Sequence, residues 1–156
     1  MAVILGINTH HAGSSAALVI DGQPVAVIGE ERLNRIKYYA GFPTLSILKV
    51  LEIGGVTFKD IDYVAIGRDP STNTAKKLEF VVRNPTKLLN LLKIRAAREA
   101  LGDLKTLLVE ECGAKPADLR FEQVNVEHHL AHIASAYFIS PWEHAAGFSI
   151  DGSGDF

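Results

Sequence analysis

The sequence predicts an α/β fold with a mixed sheet, and two observations carry this prediction. Short apolar runs bounded by turn residues recur along the chain, and after the first forty residues they alternate with segments of helical periodicity. Strands separated by helices are typical of layered α/β proteins. A length of 156 residues suits a single core, and we therefore expect residues 1–156 to form a single domain.

The first thirty residues predict a three-stranded antiparallel meander. Val3–Asn8 and Ser15–Ile20 are nearly continuous apolar runs, which are typical of strands covered on both faces. Asp21-Gly22 is a two-residue hairpin signal that leads into the third strand, Pro24–Glu30. The meander is thus expected to open the sheet.

The rest of the chain predicts helices and strands in alternation, so that crossovers extend the sheet. Gly54 and Gly55 supply a helix stop, and Pro85 and Gly113 bound a long helical pattern. The expected elements are a helix at 44–54, a strand at 61–67, a helix at 85–112, a strand at 119–125, a helix at 128–140 and a strand at 144–151. A hairpin-led sheet followed by crossovers is the plan of one lobe of the actin and sugar-kinase superfold.

Composition excludes several classes of function. Hydrophobic residues make up 47% and charged residues 22%, and the formal net charge is -2, so no basic field favours nucleic acid or an anionic membrane as a partner. No apolar run approaches the roughly 20 residues of a membrane span. Cys112 is the single cysteine and has no partner for an internal disulfide. We expect a cytoplasmic setting.

The segment "EHHLAH" (Glu127–His132) is the strongest candidate for a site. On a helix, His128 and His132 share one face and can bind one metal ion, with Asp151 at the end of the next strand as a third ligand. The alternative is that these histidines are polar residues at a helix N-terminus without a ligand. His129 lies about 100° around the helix and is a substrate-contacting, ligand-supporting or structural residue.

Three further segments have both functional and structural interpretations. Gly152, Ser153 and Gly154 in "DGSGD" are small enough for a phosphate to approach the backbone, but the motif also suits a tight turn. The first loop, "HHAGSS", is similar to a phosphate-cradling loop but is not a Walker motif. "EERLNRIK" (30–37) is by charge pattern a solvated segment.

Two stretches together resemble the N-terminal part of the O-carbamoyltransferase family, which includes nodulation-factor and antibiotic carbamoyltransferases. They are "ILGINTHHAGSSAALVIDGQPVAVIGEERLNRIKYYAGFP" and "VEHHLAHIASAYFISPWEHAAGFSIDGSGDF". Residues 76–119 match no motif. The resemblance implies one lobe of an actin-like, ribonuclease H-like domain related to threonylcarbamoyl-transferring tRNA-modification proteins. It also implies a much longer protein, so we expect this chain to be truncated and inactive alone.

The resemblance further implies a reaction, its partners and its residues. Carbamoyl phosphate and ATP yield carbamoyl-adenylate, whose carbamoyl group passes to a hydroxyl of a small-molecule acceptor. His128, His132 and Asp151 are then ligands of a divalent metal, usually iron, and His11 is the catalytic residue. Relatives often carry an Asp shortly after that histidine, as in "HGDAS", where this chain has Ala12-Gly13-Ser14-Ser15.

Two other classes stay open at this point. One is a different enzyme of the actin-like fold, either a sugar kinase or a tRNA threonylcarbamoyl transferase, although "GINTHHAGSS" lacks the Asp of a kinase-type hairpin. The other is a non-enzymatic metal-binding module. Without its partner lobe, the chain is expected to expose an apolar face through which a homodimer can form.

Overall fold

The computed structural model describes residues 1–10, 12–69, 83 and 103–151. The described residues belong to two compact units. The first comprises Met1–Ile66 with the described part of Ala100–Val124, and the second comprises the described parts of Gly67–Glu99 and Asn125–Phe156. The single domain expected over residues 1–156 stays a prediction.

A five-stranded mixed sheet organises the first unit. Its strands are β1 (Val3–Asn8), β2 (Ser15–Ile20), β3 (Gln23–Gly29), β4 (Tyr63–Ile66) and β5 (Glu122–Asn125), in the spatial order β3-β2-β1-β4-β5. β1 pairs antiparallel with β2 and parallel with β4, while β2 pairs antiparallel with β3. The α/β class and the mixed sheet, with a meander followed by crossovers, are therefore confirmed.

The turn and burial pattern of the meander follow from its sequence. Asp21 and Gly22 both have positive φ, 50° and 79°, which is the conformation of a tight two-residue hairpin. In β1 the side chains of Val3, Leu5 and Ile7 are buried, whereas the alternate positions are partly exposed. The expectation of strands covered on both faces is therefore wrong for the described residues, because the core cluster lies on one face only.

Two helices follow the meander, α1 (Glu31–Asn34) and α2 (Thr44–Gly54). Pro43 precedes α2 and provides no capping side chain, so Glu30 caps this helix from a distance. Its Oε1 accepts from the amide of Leu45 at 3.1 Å and its Oε2 from that of Ser46 at 2.7 Å. Glu30 is only 3% exposed, and the interpretation of 30–37 as a solvated segment is wrong at this residue because its carboxylate is needed at the helix N-terminus.

Helix α3 (Leu104–Cys112) completes the first unit and ends at Gly113, whose φ is 68°. Leu104 and Leu108 are buried in the same core as Ile47 and Val50 of α2. The predicted helix at 85–112 is confirmed over these nine residues, and the rest of it lies outside the described residues. The core thus forms between the meander, α2 and α3.

The second unit contains helix α4 (His128–Tyr137). The strand predicted at 144–151 is absent, because within the described residues this segment has no strand to pair with. None of its large apolar side chains is covered: Phe148 is 86% exposed and Ile150 is 83% exposed. In the part of the chain that is described, no helix has the length and apolar character of a membrane span.

Candidate metal centre

Helix α4 places two histidines on one face, one turn apart at its N-terminal end. The helix begins where the carboxylate of Glu127 accepts a hydrogen bond from the amide of Leu130 at 2.7 Å, which satisfies one of the free donors of the N-terminus. His128 and His132 follow at a spacing of four residues, and their ring centroids are 4.6 Å apart. Their Nε2 atoms are 3.2 Å apart.

Asp151 approaches both rings from the segment that follows α4. Its Oδ2 lies 2.8 Å from Nε2 of His128 and 3.5 Å from Nε2 of His132. The side chains of His128, His132 and Asp151 are 16%, 55% and 37% exposed, so the cluster is open to solvent on one side. Within the described residues these three side chains form the group whose donor atoms can converge on one ion.

The separations of the three atoms match those of ligands around one metal ion. Ligand atoms about 2.1 Å from an ion are about 3.0 Å apart at a right angle and about 3.4 Å apart at the tetrahedral angle. The observed separations of 2.8, 3.2 and 3.5 Å lie around these values. Two imidazoles and one carboxylate on one face of an octahedron are the donor set of non-haem Fe(II) sites with open positions.

Hydrogen bonding alone accounts for this cluster less well than a cation does. Nε2 of His128 lies within hydrogen-bonding distance of both Asp151 Oδ2 and His132 Nε2, and a ring nitrogen carries at most one proton. If that proton goes to Asp151, the same atom has no lone pair for His132. A cation among the three atoms would accept a lone pair from each, so the donor set fits a divalent metal.

The segment that carries Asp151 lies along α4 with a period of two. A Cβ on Gly147 would be 2.7 Å from Cγ2 of Ile133, so a glycine permits the close approach. Two residues on, Oγ of Ser149 lies 3.1 Å from Nδ1 of His129. The next alternate residue is Asp151. Residues 147, 149 and 151 therefore contact α4, and sequence reasoning missed the first two because no local signal in the sequence marks a contact with a helix that is so distant along the chain.

The first loop, between β1 and β2, contains His11, which lies outside the described residues. Its neighbours are fixed by the segment at 39–41: the amides of Gly13 and Ser14 donate to the carbonyl of Tyr39, each at 3.1 Å. Oγ of Ser14 donates to the carbonyl of Gly41 at 2.7 Å. Gly152, Ser153 and Gly154 also lie outside the described residues, so the structure brings together the three predicted metal ligands only.

His10, in the same loop, has an unusual environment. Its φ is 58°, and burial lowers the pKa of its imidazole. Its Nε2 atom is buried and has no hydrogen-bond partner among the described residues. The ring lies near Phe42, with 6.5 Å between centroids. Burial thus favours the neutral imidazole, because the charged form would lose its hydration.

Comparison of the sequence with known proteins shows which family the chain belongs to. A family model described as the carbamoyltransferase N-terminus matches residues 3–156. The chain belongs to this carbamoyltransferase N-terminus family.

Two curated proteins are similar over almost the whole chain. The uncharacterized protein sll1178 of Synechocystis is 37% identical over 100% of this chain and 26% of its own length. The nodulation protein NolNO of Sinorhizobium fredii is 36% identical over 96% of this chain and 21% of its own length. The chain thus spans about a quarter of the length of these relatives.

Two solved structures are also similar. YeaZ from Pseudomonas aeruginosa matches with 18% identity and a TM-score of 0.41, over 88% of this chain and 50% of its own. An uncharacterized protein described as similar to peptidase YEAZ from Pseudomonas aeruginosa matches with 17% identity and a TM-score of 0.44, over 88% and 49%.

Proposed function

We propose that this chain is the N-terminal part of an O-carbamoyltransferase that carbamoylates a hydroxyl of a small molecule. The observation that carries the proposal is the family match over residues 3–156, which includes the segments of both predicted sites. In the whole protein, carbamoyl phosphate and ATP would supply carbamoyl-adenylate. The reduced thiol of Cys112 suits a cytoplasmic setting for this reaction.

His128, His132 and Asp151 would hold a divalent metal, for which iron is the choice that their donor set favours. With two neutral imidazoles and one carboxylate as ligands, a bound divalent ion would keep positive charge and open positions for the carbamoyl oxygen or a nucleotide phosphate. The separations of 2.8, 3.2 and 3.5 Å support this role. The exposed side of the cluster is where a substrate would enter.

His11 is our candidate for the base that takes the proton of the acceptor hydroxyl. The hydroxyl oxygen would bond to the carbamoyl carbon, the bond from that carbon to the adenylate oxygen would break, and AMP would leave with its electron pair. An imidazole of ordinary pKa near 6.5 suits this proton transfer at neutral pH. Gly152, Ser153 and Gly154 would let the nucleotide phosphate approach the backbone.

The test uses the whole product of the gene that encodes this chain. It is incubated with radiolabelled carbamoyl phosphate, ATP and a panel of sugars and aminoglycosides, and labelled product is separated from carbamoyl phosphate. We expect transfer to at least one acceptor, and a loss of at least ~100-fold in the His128→Ala and Asp151→Asn variants, because both remove a ligand.

A second readout separates this reaction from its alternatives. Release of pyrophosphate that depends on carbamoyl phosphate reports formation of the adenylate, and it should persist in both ligand variants. Metal binding without any carbamoyl transfer would favour a non-enzymatic metal-binding module. Transfer at the wild-type rate in His128→Ala would contradict the assigned role of the cluster.

A further inference from the structure

One hydrogen bond beside the metal cluster has no place in the function proposed above. Nδ1 of His129 lies 3.1 Å from Oγ of Ser149, and neither atom belongs to the three proposed ligands. Both residues are partly buried, in contrast to the exposed residues 148 and 150 on either side of Ser149. The contact therefore joins the side of α4 next to His128 to the segment that carries Asp151.

The position of Asp151 is not set by a sheet. The segment at 145–151 forms no strand ladder among the described residues, so no row of backbone hydrogen bonds holds it in register. Two contacts with α4 precede Asp151 instead: the backbone of Gly147 lies against the side chain of Ile133, and the side chain of Ser149 lies against that of His129. Of these, the second is directional, and it lies two residues before the carboxylate.

We propose that the hydrogen bond between His129 and Ser149 is a positioning contact that holds Asp151 against His128 and His132. The inference rests on the proposed metal site and extends it to two residues that supply no ligand atom. Two extended residues span about 6.6 Å, so fixing Ser149 restricts Asp151 to positions within that distance of it. Ligands must be held to about 0.5 Å, a tolerance that a segment without a ladder does not meet by itself.

This role explains why two histidines stand side by side in "EHHLAH". His128 and His129 differ by about 100° around the helix, so they cannot bind one ion together. Their ring centroids are 5.5 Å apart and the rings are nearly perpendicular. His128 contacts the carboxylate of the returning segment, and His129 contacts its hydroxyl, so adjacent positions hold the same segment at two points.

Titration of the 156-residue chain with Co²⁺ under anaerobic conditions tests the proposal, because visible absorption of Co²⁺ reports both affinity and ligand geometry. We expect Ser149→Ala and His129→Leu each to weaken Co²⁺ binding by ~10- to 100-fold, the usual effect of losing a group that orients a ligand. Ser149→Thr and His129→Asn keep a hydrogen-bonding group in place and should bind nearly as the wild type does.

A control variant and a combined variant test whether the effect belongs to this one contact. Ser140→Ala is the matched control, because the Ser140 hydroxyl donates to the carbonyl of Tyr137 at the other end of α4, and its binding should be unchanged. The variant that combines Ser149→Ala with His129→Leu should bind no more weakly than the worse single variant, since both remove one contact. Circular dichroism of every variant verifies that α4 is retained.

The Co²⁺ titrations distinguish an error in the positioning role from an error in the metal site. If the wild type binds Co²⁺, His128→Ala does not, and Ser149→Ala binds with wild-type affinity and spectrum, then the positioning contact is refuted while the metal site stands. If the wild type itself binds no Co²⁺, the metal site falls and the positioning role falls with it. Additive losses in the combined variant would also contradict a single shared contact.

Discussion

Replacing Glu30 tests whether its carboxylate caps the N-terminus of helix α2. Glu30 lies 14 residues before the first residue of α2, yet its carboxylate accepts from the amides of Leu45 and Ser46 at 3.1 and 2.7 Å. Glu30→Ala leaves both amides without an acceptor at a position that is 3% exposed. Water is then poorly placed to replace the lost partner.

The expected cost follows from these two hydrogen bonds. A hydrogen bond to a charged group contributes about 1.5–3 kcal/mol, and removing a helix cap costs about 0.5–2 kcal/mol. Relief of the carboxylate's desolvation offsets part of this sum, so we expect Glu30→Ala to lower the free energy of unfolding by about 2–3 kcal/mol. Glu30→Gln keeps one acceptor oxygen and should cost about half as much.

Urea unfolding followed by circular dichroism measures these costs. Glu52→Ala is the control, because Glu52 lies on the same helix and pairs with Lys49 at 2.9 Å on the exposed surface. It should change the free energy of unfolding by less than about 1 kcal/mol. If Glu30→Ala costs no more than Glu52→Ala, with an unchanged m-value, the capping role assigned to Glu30 is wrong.

Two pH-dependent predictions follow from single residues. Burial, with help from the nearby Glu111 and Glu30 carboxylates, raises the pKa of Cys112 to about 12 from an ordinary 9.0, so iodoacetamide at pH 8 should modify the folded chain at least ~100-fold more slowly than the chain in urea. Equal rates would contradict this burial. Burial lowers the pKa of His10, so below pH ~6.5 the unfolded chain binds a proton that the folded chain does not, and the free energy of unfolding should fall as pH decreases. His10→Asn, which tolerates positive φ, should reduce this dependence between pH 6.5 and 5, and an unchanged slope would contradict the assignment.

Elements with strong local signals were predictable from the sequence. The apolar runs of β1 and β2, the Asp21-Gly22 turn and the helix that ends at Gly54 have the predicted bounds, because each is fixed by residues within it. The strand predicted at 144–151 was wrong because residues outside the segment also decide whether it forms a strand. Its alternation is that of a strand, but a strand also needs a pairing partner, and the described residues include none for it.

Long-range contacts were the part that sequence patterns missed. Glu30 looks like one more charged residue of "EERLNRIK", and only the fold brings it to the amides of Leu45 and Ser46. The meeting of His128 and His132 was predictable because helical spacing fixes it. Asp151 was chosen as the end of a strand that the structure lacks, and it reaches both rings from an irregular segment instead. The contact between His129 and Ser149 joins residues 20 positions apart, and no local period indicates such a pair.

The most direct test of the central claim is the metal content of the chain after anaerobic reconstitution with Fe²⁺ and removal of excess ion. We predict about one iron per chain for the wild type and none for the variant that combines His128→Ala with His132→Ala, because one carboxylate does not retain the ion. Circular dichroism should show the same helix content in both proteins. Iron retained by the double variant at the wild-type level would contradict the assignment of His128, His132 and Asp151 as the metal ligands.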